Sequence, residues 1–570
     1  MNPRILKTLA FTVGLLISCN AVLLGQVDPG RLKALQTRLN QLQKTYNKFP
    51  PMHRMLMSGN ANAAHLATAL NRIVPNLKKP IAAPALRNRL SQALGAENET
   101  ISPGAVASVN NPSHDYDYSS LGGFTQSETS TALCGNNAVV GYNDSGSFLE
   151  TVVAGTGGNA FSGVSSSTNR GVTFVDHGAV PPGSDPVNFL GGDPQLGCAN
   201  SSTFFYAQLF ATENPATTEP LAAVAFNVST DGGITWSDPV TAVAFDGFSH
   251  GVDKEWMAVD PANPKSIYIS FTDFDGSFVN PACPNDNRTA IDIVHSSDGG
   301  KTWGAPVVID TVCGFADALQ GSHVVVGSGH KVYLLWEHFT NFPTGPRELR
   351  FTTLKANGKA GAIKVVDGVL GVGDSFQLQG DFRDFLGIDL AVDTSGTASD
   401  GTLYVTWDDG RDKIVPDLTS QTGQYAYADV LLRSSNDGGA TWGFNAVKVN
   451  SDIQSRMGSG HDHYQPGIAV DKTGEVGVCW YDRRTDPQNF LFQRFCGASK
   501  DQGQTWVNVK VNGGLGNTPA HSTDALINPA YMGDYDGLTS DFTKGTAGFI
   551  GAYEIMSAGA NPDIRAFSFQ

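Results

Sequence analysis

Ser229-Thr-Asp-Gly-Gly-Ile-Thr-Trp236 returns as Ser296-Ser-Asp-Gly-Gly-Lys-Thr-Trp303, Ser435-Asn-Asp-Gly-Gly-Ala-Thr-Trp442 and Ser499-Lys-Asp-Gln-Gly-Gln-Thr-Trp506, with a weaker copy at Ser167-Thr-Asn-Arg-Gly-Val-Thr-Phe174. Each octamer encodes a self-supporting hairpin turn. Ser and Asp can bond backbone amides inside it, Gly supplies positive φ, and Thr-Trp re-enters a strand with a large apolar anchor. Copies spaced by roughly 60 to 80 residues, or twice that, fix the architecture before any single residue is interpreted.

The strands around these turns form a second register. Seven segments end in an aromatic followed closely by a polar or acidic residue: Tyr142-Asn-Asp144, Tyr206-Ala-Gln208, Phe271-Thr-Asp273, Trp336-Glu337, Trp407-Asp408, Trp480-Tyr-Asp482 and Tyr553-Glu554. The fourth and seventh modules lack a good octamer, but Leu349-Arg-Phe-Thr-Thr353 and Ile564-Arg-Ala-Phe-Ser568 read as the matching strands. The pattern predicts an all-β chain over 120–570, a seven-bladed β-propeller of four-stranded antiparallel sheets, with six blades as the alternative.

The N-terminal part differs. Arg4 and Lys7 precede the apolar run 9–17, the pattern of a signal peptide over 1–25. Leu16-Ile-Ser-Cys19 also fits a bacterial lipobox, so Cys19 is either lipidated or lost by cleavage near Gly25. Residues 27–95 read as helical, with Leu32, Leu35, Leu39 and Leu42 at helical spacing, a break at Pro50-Pro51, and Leu66, Leu70 and Ile73 beyond it. This segment is a helical hairpin packed on the propeller or a partner-binding arm. A polar linker is expected over 96–119.

Net charge is −16, and the basic residues cluster early, from Arg31 to Arg87. Phosphate neutralisation needs clustered Lys and Arg on the folded body, so a nucleic-acid partner is excluded. Six cysteines follow Cys19, an even number in an exported chain. Blade position pairs Cys134 with Cys198, Cys283 with Cys313 and Cys479 with Cys496.

The octamer is the Asp-box (BNR repeat), and the chain resembles the sialidase-like Asp-box β-propeller proteins of the bacterial secreted type. In an antiparallel meander, the start of the first strand and the end of the second share one face, while the boxes lie on the other. A second acidic series, Gly192-Asp193, Asp253-Lys-Glu-Trp256, Arg383-Asp384, His461-Asp-His-Tyr464 and Gly533-Asp-Tyr-Asp536, therefore joins the strand endings at one rim. Crowded carboxylates split their pKa values, which gives a protonated acid beside an ionised base.

The catalytic candidates are Asp253, Glu255, Asp408, Asp482, Tyr535 and Glu554. Sialidases use a Tyr nucleophile, which makes Tyr535 pertinent. The resemblance also implies an arginine cluster for the sugar carboxylate. Arg411, Arg483 and Arg484 are its best candidates, with Trp407 and Tyr481 as sugar platforms; the family's early Arg-Ile-Pro segment has no match before the first box. The other reading of the acids is structural, as turn caps and interblade pairs with Arg. No cofactor is called for. Ca²⁺ could be held by Asp273 with Asp275 or by Asp408 with Asp409, whereas His461 and His463 lack an identifiable third ligand. The two functions that follow are glycan hydrolysis or binding at the acidic face, and a non-catalytic extracellular scaffold for protein or polysaccharide.

Overall fold

The computed structural model describes residues 29–57, 66, 68, 106–112, 115 and 122–569, apart from 155–156, 342–345, 356–357, 375, 381, 418–421, 453–459, 512–523, 525, 528–532 and 558–560. The signal-peptide and Cys19 expectations lie outside the described residues, as do most of 58–105.

Seven antiparallel sheets form the blades: 126–179, 195–246, 250–313, 318–369, 388–448, 463–510, and a last blade of 538–569 completed by Ala107–Ser108. Seven blades, rather than six, is the count. All seven aromatic strand endings, from Tyr142 to Tyr553, lie on second strands and are buried between blades. Leu349 and Ile564 sit on third strands, as their sequence pattern predicts.

Two features differ from expectation. Ala107–Ser108, inside the predicted linker, pairs with Asn561–Phe569 as the outermost strand of the last blade. Two residues are too few to carry a strand pattern. A helix, Ser145–Ala154, also interrupts the first blade where no helical periodicity was read. Asp144 starts it, accepting from Gly146 N (2.9 Å) and Ser147 Oγ (2.6 Å).

The boxes form one turn five times, always between a third and an outer strand. In the second copy Ser296 Oγ donates to Asp298 Oδ1 (2.9 Å) and accepts from Gly300 N (2.9 Å); Asp298 accepts from Thr302 N (3.0 Å) and Thr302 Oγ1 (2.6 Å). These donors hold the Asp298, Asp437 and Asp501 carboxyls down to about 2. In the weak copy Asn169 takes the place of Asp, accepting from Thr173 N (3.0 Å).

The second box glycine does more than turn. A Cβ built on Gly300 (φ +83°) would stand 1.9 Å from Phe226 of the preceding blade. The same glycine meets Val139 from Gly233, Phe351 from Gly439, Leu432 from Gly503 and Ile550 from Gly171, each on the blade before. The box is thus an interblade docking turn.

Three disulfides follow the pairing expected from blade position: Cys134–Cys198 joins the inner strands of the first two blades, Cys283–Cys313 ties a loop of the third to the end of its outer strand, and Cys479–Cys496 spans neighbouring strands of the sixth. They fit an oxidising, extracellular or periplasmic compartment. No described helix is long and apolar enough to cross a membrane.

Helices α1 (Pro29–Tyr46) and α2 (Pro51–Leu56) lie against the propeller. Leu35, Leu39 and Leu42 of the predicted apolar stripe are buried.

Gly299 and Gly300 offer an internal control, since both have positive φ but nothing lies within 4 Å of a Cβ on Gly299. Gly299→Ala should cost only backbone strain, about 1 kcal/mol. Gly300→Ala should cost at least about 2 kcal/mol more through overpacking. Denaturant midpoints of the two variants check the difference.

Candidate functional site

The expected rim exists, and bulges build its floor. Innermost strands shift register between Ser127 and Ser130, Asp253 and Trp256, Gln320 and His323, and Tyr464 and Gly467. Glu128, Lys254 and Gln465 adopt φ of 47°, 51° and 50° there. Such bulges re-aim side chains, here across the axis.

Lys254 is the hub of one cluster. Its Nζ lies 2.8 Å from Glu128, 3.0 Å from Asp534 and 3.5 Å from Asp193, and 4.8 Å above the Tyr535 ring. Burial would lower its pKa, but Asp193, Asp534 and Glu128 outweigh that and hold it charged. Asp253 accepts from Gln320 Nε2 (2.8 Å), and Arg383 Nη2 reaches Asp534 (2.7 Å). Glu255, buried beside Asp193, is pushed well above the usual carboxylate range by burial first. Tyr535 donates to the Pro194 carbonyl (3.2 Å).

A second cluster spans the fourth to sixth blades. Arg347 Nη2 grips both Glu337 oxygens (2.7 and 2.6 Å), and Arg483 Nη1 lies 3.4 Å from Asp462 while donating to the Asn489 carbonyl (2.8 Å). Asp408 accepts from Gln465 N (3.1 Å). Burial pushes Asp384 up to about 7, with Arg347 pulling down and Asp534 and Asp462 adding to the rise. Asp408 is raised too, by burial and then Asp384.

A third group holds Glu554, whose backbone N donates to Tyr481 Oη (2.9 Å); burial and Asp536 raise its carboxyl. Arg494 Nη1 stands 3.4 Å from Asp536 and its guanidinium 4.6 Å over Tyr481.

Asp482, Trp407, Arg411 and Arg484 do not join these axial groups. Trp407 Nε1 donates to Asp409 (3.1 Å), which accepts from Arg411 N (2.9 Å), Nε (2.8 Å) and Nη2 (2.6 Å). Trp480 Nε1 donates to Asp482 (2.7 Å), which accepts from Arg484 N (2.9 Å), Nε (2.9 Å) and Nη2 (2.6 Å). Trp-x-Asp-x-Arg is therefore one repeated, self-neutralised unit on an interblade face. Successive strand residues point to opposite faces, so Asp408 turns to the sixth blade, where Gln465 N reaches it, while its neighbours Trp407 and Asp409 turn to the fourth.

Lys254, Glu128, Arg347 and Arg494 were not singled out from sequence. One signal was available for the arginines: Arg288, Arg347 and Arg494 are the first or second residue of third strands, and pair with Asp273 (2.6 Å), Glu337 (2.6 Å) and Asp536 (3.4 Å).

The expected calcium ligands already have protein donors. Asp273 is held by Arg288, and Asp275 by Ser277 N (2.8 Å) and Asn280 (2.8 Å). Asp429, Asp452 and His463 present donor atoms within 4.8 Å of one another. Burial would discharge His463, but Asp482, Asp429 and Asp452 push it up to about 10. Lys448 at Asp429 (2.8 Å) and Arg484 at Asp482 (2.6 Å) bring two further cations to these carboxylates, so they already have protein partners.

The cavity that runs along the axis opens on the other face. It measures about 270 Å³ and is lined by the later residues of all seven innermost strands, among them Trp256, Val326, Val392 and Val470, with Asp389 and Asp536 in its wall and Lys472 and Lys544 in the turns beyond. Those turns share the face of the Asp-boxes.

No protein-family model matches the chain, and no curated protein matches it in sequence. Among solved structures it is similar to a Hadza microbial sialidase (14% identity, TM-score 0.37, 71% of this chain and 73% of that one). It is also similar to a protein of unknown function from Dyadobacter fermentans (13%, 0.39, 81% and 97%) and a Penicillium chrysogenum α-L-arabinanase (12%, 0.41, 67% and 94%).

The raised Asp384 carboxyl destabilises the fold when ionised: the stability it contributes is full below the unfolded value of 3.8 and is lost as pH rises through about 7. Asp384→Asn should therefore gain stability relative to wild type at pH 8 and not at pH 4. Melting temperatures at the two pH values check it.

Proposed function

We propose that the chain is an exported propeller that binds a glycan without hydrolysing it. The observation that carries this reading is pairing: Asp482 with Arg484 (2.6 Å), Asp462 with Arg483 (3.4 Å), Glu337 with Arg347 (2.6 Å) and Lys254 with Glu128 (2.8 Å). An anion clamp needs guanidinium donors to spare, and a hydrolase needs carboxyls that reach substrate. Here the paired carboxyls are buried, and Lys254, Arg347 and Arg483 are buried with them. The glycan as ligand is supported by the Asp-box repeats and their resemblance to sialidases; export is supported by the apolar run 9–17 and the three disulfides. Cys19 would add a membrane anchor if lipidated.

A second reading, hydrolysis at the axis, is favoured by one observation. Asp384, pushed up to about 7, stands in electrostatic contact with Asp408, a pair able to divide acid and base roles near neutral pH.

Aryl glycosides including sialosides, and a glycan array, separate the two. The expected outcome is retention on the array with no turnover of any glycoside. Turnover abolished by Glu554→Gln or Asp384→Asn, with the fold intact, would overturn binding in favour of catalysis.

A further inference from the structure

The acidic face is not open. Segment 29–57 lies across it, on the side where innermost strands begin. Thr45 Oγ1 donates to the Gly247 carbonyl (2.7 Å), Lys48 Nζ to Phe248 (3.0 Å), and Arg38 to Leu221 (2.7 Å) and Thr212. Burial lowers the His53 pKa to about 4, so the neutral ring donates from Nε2 to the Asp317 carbonyl (3.2 Å). Phe49, Leu56 and Met57 are buried against Phe274, Phe339, Phe376, Phe385 and Leu386.

Two contacts tie this segment to the axial charges. Gln320 Nε2 donates at once to the Leu56 carbonyl (2.8 Å) and to Asp253 (2.8 Å). Arg383 donates through Nη1 to the Met55 carbonyl (3.1 Å) and through Nη2 to Asp534 (2.7 Å). The end of α2 thus rests directly on the residues that hold Asp253 and Asp534.

We infer that residues 29–57 are a displaceable lid that regulates access to the axial face. The segment contributes no strand to any blade, and the ring is closed without it by Ala107–Ser108. Its polar contacts fall on loop carbonyls and on the Thr212 and Leu221 carbonyls at the end of a blade hairpin, all of which water can take over, and on Gln320 and Arg383, which keep their axial partners when it leaves. Its anchorage is a few apolar side chains on an aromatic floor, the composition of a protein–protein interface more than of a blade interior. Being joined to the ring through 58–106, a displaced lid closes again without diffusing away. Regulation of ligand access rests on the reading that this face is where ligand binds; the lid itself does not.

Hydrogen exchange on the full chain tests it. Amides of 30–46 should exchange at least tenfold faster than those of the innermost strands 250–259 and 318–327. Phe49→Gln should quicken the lid tenfold again and leave blade protection and the melting midpoint unchanged. Carbodiimide coupling of glycinamide, read by mass spectrometry, should then mark Asp253 and Asp534 in Phe49→Gln but not in the parent. Arg38→Ala, which loses its bonds to the Thr212 and Leu221 carbonyls and its attraction to Glu213, gives the same comparison if Phe49→Gln does not fold. Lid amides as protected as the innermost strands, or lid and blades losing protection together, would overturn the inference. Labelling that opens as expected on a protein that retains no glycan would leave the lid standing and remove only the ligand reading.

Discussion

Seven sheets make a ring only when the last is stitched to the first, and Asn110 is one of the stitches in that seam. Its Nδ2 donates to Gln126 Oε1 (3.0 Å) in the first blade and to Asp563 Oδ1 (3.0 Å) in the last, while its Oδ1 accepts from Ile564 N (2.8 Å). Next to it Val109 N donates to the Ile564 carbonyl (3.0 Å), continuing the short strand Ala107–Ser108. The axial chemistry presupposes this closure. Lys254 comes from the third blade, Glu128 from the first and Asp534 from the approach to the last, and they meet only because the circle is shut. At this seam and at four of the other six junctions a box repeats a smaller version of the same task, seating one glycine on the preceding blade.

The charge distribution follows from that geometry. A net charge of −16 would make a converging rim of carboxylates self-repulsive, and burial would make each ionised group costly. The chain answers with cations placed among them: Lys254, Arg347, Arg483 and Arg494 near the axis, Arg411 and Arg484 between blades. Where a cation is further away, as at Glu255 and Glu554, burial raises the carboxyl instead. Removing one partner of such a pair leaves the other buried and uncompensated, so these groups hold the blades in a single arrangement even if they add little net stability.

The features that could be read from the chain are those whose cause is local or periodic. A box turn is closed by Ser, Asp and Thr within eight residues, so five turns were visible in the text alone. The seven buried aromatics, Tyr142 to Tyr553, mark second strands because each blade needs one large side chain at that place. The disulfides followed from the same equivalence. Side-chain direction did not: Asp408 and Asp409 are adjacent, and only strand register tells which meets Trp407 Nε1 and which meets Gln465 N. Lys254 escaped notice because its three carboxylates come from distant parts of the sequence. The two-residue closing strand was too short to announce itself, and where segment 29–57 rests depends on residues spread from Thr212 to Arg383.

The axial space opens beside the boxes, where Lys472 Nζ donates to the Gly545 carbonyl (2.9 Å) and Lys544 Nζ to the Thr394 carbonyl. Turns that follow the innermost strands of the fifth, sixth and seventh blades are tied to one another at this mouth, so solvent that enters there passes two ammonium groups already committed to holding the opening in shape.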